Sequence, residues 1–181
     1  IAALNPTAFG IDLHWLPHAH GALAVAELVK RYHPDTPVIF GGFSSTYYHE
    51  ELIRYPFVDF VIRGDSAEEP LRQLMAHLMG AKGAPRLADI PNLTWKDASQ
   101  AVRVNPLTYS PPALDHLRLD YSHIMNVVVR YLDLASVIPF RNWMNYPITA
   151  ALTVHGCGYN CATCGGSAAA FRSIHGRGQP V

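Results

Sequence analysis

The first eighty residues alternate short apolar runs with amphipathic stretches. Ala8 to His14 reads as a strand leaving Pro6-Thr7, and Val38-Ile39-Phe40 as a short buried strand after Pro37. A third run, Val58 to Ile62, ends at Arg63-Gly64-Asp65. Ala22, Val25, Ala26 and Val29 recur at helical spacing and predict a helix over Gly21 to Tyr32. A second helix is expected from Tyr47 to Arg54, after a turn over Gly41 to Thr46. A third is expected from Glu68 to Met79, with Pro70 in its first turn, where proline is tolerated. Asp65 or Ser66 is its expected cap, and the two glutamates meet the positive helix end. Strand–helix alternation through short loops predicts a parallel, doubly wound α/β sheet, here present in part, over residues 1–80.

Residues 81–146 read as a connection. Ile90 to Trp95 and Ala101 to Asn105 form a candidate β-hairpin around Lys96 to Gln100. Pro106, Pro111 and Pro112 exclude a long helix there. Tyr121-Ser122 suits the cap of a helix from His123 to about Ala135, with Val127, Val128, Tyr131 and Leu134 on one side. Trp143, Met144 and Tyr146 form an aromatic run suited to packing between domains. From residue 147 the pattern changes again. Ile148 to His155 is apolar and β-branched, as a buried strand should be, and Ala168 to Phe171 reads as a helix start.

The chain is 49% hydrophobic and 15% charged, enough apolar content for a core. Lys+Arg and Asp+Glu stand at 14 each, so charge gives no case for nucleic acid or an anionic membrane as partner. No apolar run reaches the length of a membrane span.

Sheets of this kind bind ligands at the carboxyl ends of their strands. Asp12 and His14 fall after the first strand, and Gly41 and Gly42 after the second. Paired glycines there suit a bulky ligand lying against bare backbone, or a plain turn. His18 and His20 follow His14, but without a Cys or Glu they read as a solvated loop rather than a metal site.

All three cysteines lie in one stretch, Cys157-x3-Cys161-x2-Cys164. An odd number excludes a closed set of internal disulfides, and three thiolates on one loop suit a metal or a cluster. Zinc would need a fourth ligand, which His155 or His175 could supply. A [4Fe-4S] cube held by three thiolates keeps one iron open. Gly156 and Gly158 let the backbone wrap around an inorganic core.

This cysteine spacing, after an apolar run and a glycine, resembles the signature of radical S-adenosylmethionine enzymes. The resemblance implies a [4Fe-4S] cluster on Cys157, Cys161 and Cys164. Its open iron would chelate S-adenosylmethionine and cleave it to a 5′-deoxyadenosyl radical. Tyr159 and Thr163 fall among the cofactor-facing residues of the loop, and Thr163 stands where that family usually has an aromatic. Strand, ligand loop and helix would be the first β/α unit of a radical SAM barrel over residues 147–181, truncated at Val181.

The earlier half resembles the cobalamin-binding domain that precedes many such enzymes. The phrases Val38-Ile39-Phe40-Gly41-Gly42, Val58-Asp59-Phe60-Val61-Ile62-Arg63-Gly64-Asp65 and Glu68-Glu69 carry that likeness. It implies a Rossmann-like or flavodoxin-like domain, starting inside its first units, with cobalamin at the sheet edge. In that family a Ser-x-Leu contacts the nucleotide tail of the cofactor; here Asp12-Leu13-His14 takes its place. The expected protein is a fragment of a larger enzyme, acting on a small-molecule substrate and reduced by a protein such as flavodoxin or ferredoxin. Free cysteines at a cluster site imply a reducing, cytoplasmic setting. The alternative is a non-catalytic corrinoid or small-ligand module with a structural zinc loop.

Overall fold

A computed structural model describes residues 4–64, 66–111, 122–132, 138, 141–146, 157–162 and 167–175. The chain divides into two compact units, one of Ile1–Pro111 with Gly156–Pro180, the other of Pro112–His155 with Val181.

The first unit is a mixed five-stranded sheet with helices on both faces. Strand β1 (Phe9–Asp12) leads through a 3-10 turn (Leu16–His18) into helix α1 (Ala19–Tyr32). Strand β2 (Val38–Gly41) is followed by two short helices, α2 (Phe43–Tyr47) and α3 (His49–Leu52). Strand β3 (Phe60–Ile62) and helix α4 (Glu68–Leu78) come next, then the hairpin strands β4 (Leu93–Lys96) and β5 (Val102–Val104). The strands lie in chain order β1-β2-β3-β4-β5. The first three are parallel, with Phe9 opposite Val38 and Ile39 opposite Phe60.

The hairpin does not stand apart from the sheet. β4 pairs antiparallel with β3, Val61 opposite Thr94, and β5 pairs with β4. The three strands of residues 1–80 are parallel, as the sequence suggested, and the hairpin extends the same sheet antiparallel, which makes it mixed. The reason is local: β4 follows α4 and runs beside its own predecessor β3, so no further crossover is needed.

Alternation along the strands splits the core in two. Val38, Phe40 and Val61 point to the face covered by α1 and α3, where Ala26, Val29, Leu52 and Ile53 are buried. Ile39, Ile62 and Leu93 point to the other, where Leu74 of α4 and Ile90 are buried. At the amino ends, Asp59 ties the layers together: its Oδ2 accepts from Val38 N and Lys30 Nζ, both at 2.7 Å.

The element boundaries shift in instructive places. The helix expected over Tyr47–Arg54 starts at Phe43 and breaks at Tyr48 (φ −110, ψ 28). Ser44, Ser45 and Thr46, expected in a turn, are buried in α2. The Ser44 hydroxyl donates to His14 O and that of Thr46 to Gly42 O, both at 3.0 Å. The cap of α4 is Ala67 rather than Asp65 or Ser66: the helix begins at Glu68, as expected, and Ser66 takes a left-handed φ of 55. Asp65 lies outside the described residues.

Within the second unit, α5 (Ser122–Tyr131) occupies part of the expected helix. Val128 is buried, whereas Val127 and Tyr131 are exposed. Adjacent positions lie about 100° apart on a helix, so 127 and 128 need not share a face. Leu134 and the expected strand 148–155 fall outside the described residues. In the first unit, α6 (Ala168–His175) begins where a helix start was expected and packs against α2. Among the described residues no helix is long and apolar enough to cross a membrane.

Candidate functional site

The carboxyl ends of β1, β2 and β3 open on a cavity of about 450 Å³. Its floor is the α4 face of the sheet: Gly10, Ile39, Gly41, Ile62 and Gly64. Its roof is the entry of α4, with Ser66, Ala67, Glu68 and Leu71. Asp12, His14 and Gly42 close one side.

The two neighbouring glycines do different work. A Cβ built on Gly41 meets nothing within 4 Å, so the missing side chain leaves room in the cavity. The same holds at Gly10, inside β1 and beside Ile39 in the register. Gly42 has φ 98, and a Cβ there would stand 2.9 Å from Leu13 O. Its bareness serves the close approach of the β1 loop, a structural need rather than a ligand contact. The Asp12 carboxylate lies on that same spot.

That loop also closes the start of α2. Leu13 O accepts from Ser44 N at 3.1 Å and Ser45 N at 3.3 Å, and Leu13 N donates to Gly41 O at 2.8 Å. Two of the N–H groups that could make this helix end an anion site, those of Ser44 and Ser45, are thus taken by protein. Thr46 joins the turns after β2 and β3: besides its bond to Gly42 O, its Oγ1 accepts from Gly64 N at 2.9 Å. His14 sits half-buried against Phe43, ring centroids 4.3 Å apart, with the exposed Trp15 edge-on at 5.4 Å.

Behind the cavity lies a buried polar group. Arg63 follows β3, is 7% exposed, and donates through Nη2 to Asn105 O. Burial lowers its pKa, against a raising effect of Glu50. His49 Nδ1 lies 3.0 Å from the buried Thr94 hydroxyl. Burial, then the nearby Arg63 charge, lowers the His49 pKa below 6.5.

Asp12, His14, Gly41 and Gly42 therefore meet at one cavity, whereas His18 and His20 are exposed beyond it. Among the described residues, no group of three or more His, Cys, Asp or Glu could hold a metal ion. The cysteine loop is seen in part. Cys157 and Cys161 are free thiols, the second exposed, while Thr163 and Cys164 lie outside the described residues. Tyr159 N donates to Cys157 Sγ at 3.4 Å, and the Tyr159 side chain is exposed. Tyr159 O accepts from Ala168 N at 2.8 Å and Asn160 Oδ1 from Ala169 N at 3.2 Å, which fixes the loop to the first turn of α6.

Sequence reasoning missed Gly10, Thr46 and the Leu71 roof. A glycine inside a strand pattern was the available signal for Gly10. Nothing in the spacing marks Thr46, whose role depends on two turns 18 residues apart.

Residues 1–74 match the B12 binding domain family. No curated protein matches the sequence. Among solved structures the chain is similar to TsrM, a radical S-adenosylmethionine methyltransferase from Kitasatospora setae. The form with tryptophan substrate and aza-SAM bound is 18% identical, with a TM-score of 0.58 over 91% of this chain and 31% of that one. The form with cobalamin and a [4Fe-4S] cluster bound is 20% identical, with a TM-score of 0.54 over 91% and 32%. OxsB, a cobalamin-dependent S-adenosylmethionine radical enzyme with aqua-cobalamin and S-adenosylmethionine bound, is 17% identical, with a TM-score of 0.55 over 88% and 20%. These likenesses show a common α/β, Rossmann-like fold, and the chain spans about a third or less of each of those proteins.

Proposed function

We propose that the sheet domain binds cobalamin, with the nucleotide tail in the cavity and the corrin ring across the carboxyl ends of the strands. The observation that carries this is the bare floor at Gly10 and Gly41, in the residues that match the B12 binding domain. A cavity of about 450 Å³ is the size of a site for a small organic group and too small for the whole macrocycle. Apolar walls from Ile39, Ile62 and Leu71 suit a planar base, and Thr46 holds the two turns that frame it. When bound, cobalamin would supply a cobalt centre able to carry an alkyl group. The chain's own part is to seat the tail, exclude water from the base and fix the ring at the sheet edge.

The wider reading is a portion of a cobalamin-dependent radical S-adenosylmethionine enzyme acting on a small molecule, with a [4Fe-4S] cluster on Cys157, Cys161 and Cys164. Two free thiols on a loop tied to α6, and the packing of α6 on α2, support it. Methyl transfer fits two cofactors near one sheet edge. A small reductant protein would supply electrons to the cluster.

Gel filtration of the 181-residue chain with hydroxocobalamin tests the first claim. Co-elution of the red cofactor with protein is expected; free elution of all of it contradicts the assignment.

A further inference from the structure

We infer that the cavity selects among corrinoids by their lower base, favouring an apolar benzimidazole over a purine. This rests on the reading that the nucleotide tail enters there. Three observations carry it. The buried walls, Ile39 and Ile62, bear no polar side-chain atom. Much of the backbone of the floor is committed elsewhere: β2 and β3 are paired on both sides within the sheet, β1 is paired with β2 on one side, and Gly64 N donates to Thr46. The polar side chains among the lining residues stand outside the buried part: His14 and Ser66 are half-buried at the side and roof, and the His14 ring lies against Phe43. Asp12 and Glu68 are exposed, and the Asp12 carboxylate is turned toward Gly42 and the Leu13 backbone.

A base placed against Gly10 and Gly41 would therefore find apolar contact and little to hydrogen-bond. Dimethylbenzimidazole loses only its contact with water there, and its two methyl groups fill the space that the absent Cβ atoms leave. Adenine carries an exocyclic amine and ring nitrogens that would give up their water without replacement, which is unfavourable. A pocket that lacks partners for a polar group, and gains from a methyl, discriminates by about ten- to a hundredfold.

The test is a set of three equilibrium titrations of the full chain, followed by tryptophan fluorescence quenching. The ligands are cobalamin, the adenine-based cobamide, and cobinamide, which has no nucleotide. Expected is a Kd for cobalamin about ten- to a hundredfold below that of the adenine form, with cobinamide weaker than cobalamin. Equal binding of the two complete cobamides, with cobinamide weak, overturns base selection and leaves tail insertion standing. Equal binding of all three, or of none, overturns tail insertion itself.

Discussion

The backbone of Leu13 fills the space that a side chain on Gly42 would need. A Cβ there would stand 2.9 Å from both Leu13 C and Leu13 O, and would also meet the Asp12 carboxylate. The carboxylate could swing away, but the Leu13 carbonyl is fixed by the N–H groups of Ser44 and Ser45. Gly42 also has φ 98, where an L side chain is strained. Gly42→Ala should therefore destabilise the protein by about 2 kcal/mol or more. Urea denaturation measures this, and a midpoint unchanged from wild type would contradict it.

Thr46 offers a second structural test. Thr46→Val keeps the shape but leaves the buried Gly64 N without its acceptor, which should cost about 1–3 kcal/mol. Thr46→Ser retains the hydroxyl and should recover most of the loss. Thermal unfolding of the two variants separates the hydrogen bonds from the packing. A loss in Thr46→Ser with none in Thr46→Val would mean that the methyl, and not the hydroxyl, matters.

The half-buried His49 makes stability depend on pH. Burial and Arg63 hold its folded-state pKa below the ordinary 6.5, so the unfolded chain binds a proton more readily. Stability contributed by neutral His49 is present above about pH 6.5 and declines as pH falls below it toward the folded value. His49→Asn keeps an acceptor for the Thr94 hydroxyl without the titration, and should flatten the stability profile between about pH 7 and 5. An unaltered slope would show that other groups set it.

The cysteine loop makes a compositional prediction. Anaerobic reconstitution with iron and sulfide should give a brown protein with about four iron and four sulfide per chain. Cys161→Ala, which removes an exposed free thiol, should abolish it without unfolding the sheet. A colourless protein holding one zinc would favour the structural-loop alternative.

Much of this arrangement was legible in the sequence because burial and periodicity agree. Val38-Ile39-Phe40 is apolar on both sides because helices cover both faces of β2. The hairpin was visible from its two short runs, but its partner strand was not, because pairing of Leu93 with Ile62 spans residues with no shared pattern. Ser44-Ser45-Thr46 read as a turn since hydroxyl residues compete with helical hydrogen bonds. In α2 two of those hydroxyls serve nearby carbonyls, so the polar run is buried. Gly41 and Gly42 look alike in sequence, and only the position of Leu13 separates the open one from the crowded one.

Gly41→Val is the most direct probe of the bare floor. Gly41 is a strand residue with nothing within 4 Å of its absent Cβ, so valine should leave stability within about 0.5 kcal/mol of wild type while filling the cavity. Titration of hydroxocobalamin into wild type and variant is the deciding measurement. At least tenfold weaker binding by Gly41→Val, with an unchanged unfolding midpoint, is the predicted result. Equal affinity in the two proteins would contradict cofactor binding in this cavity.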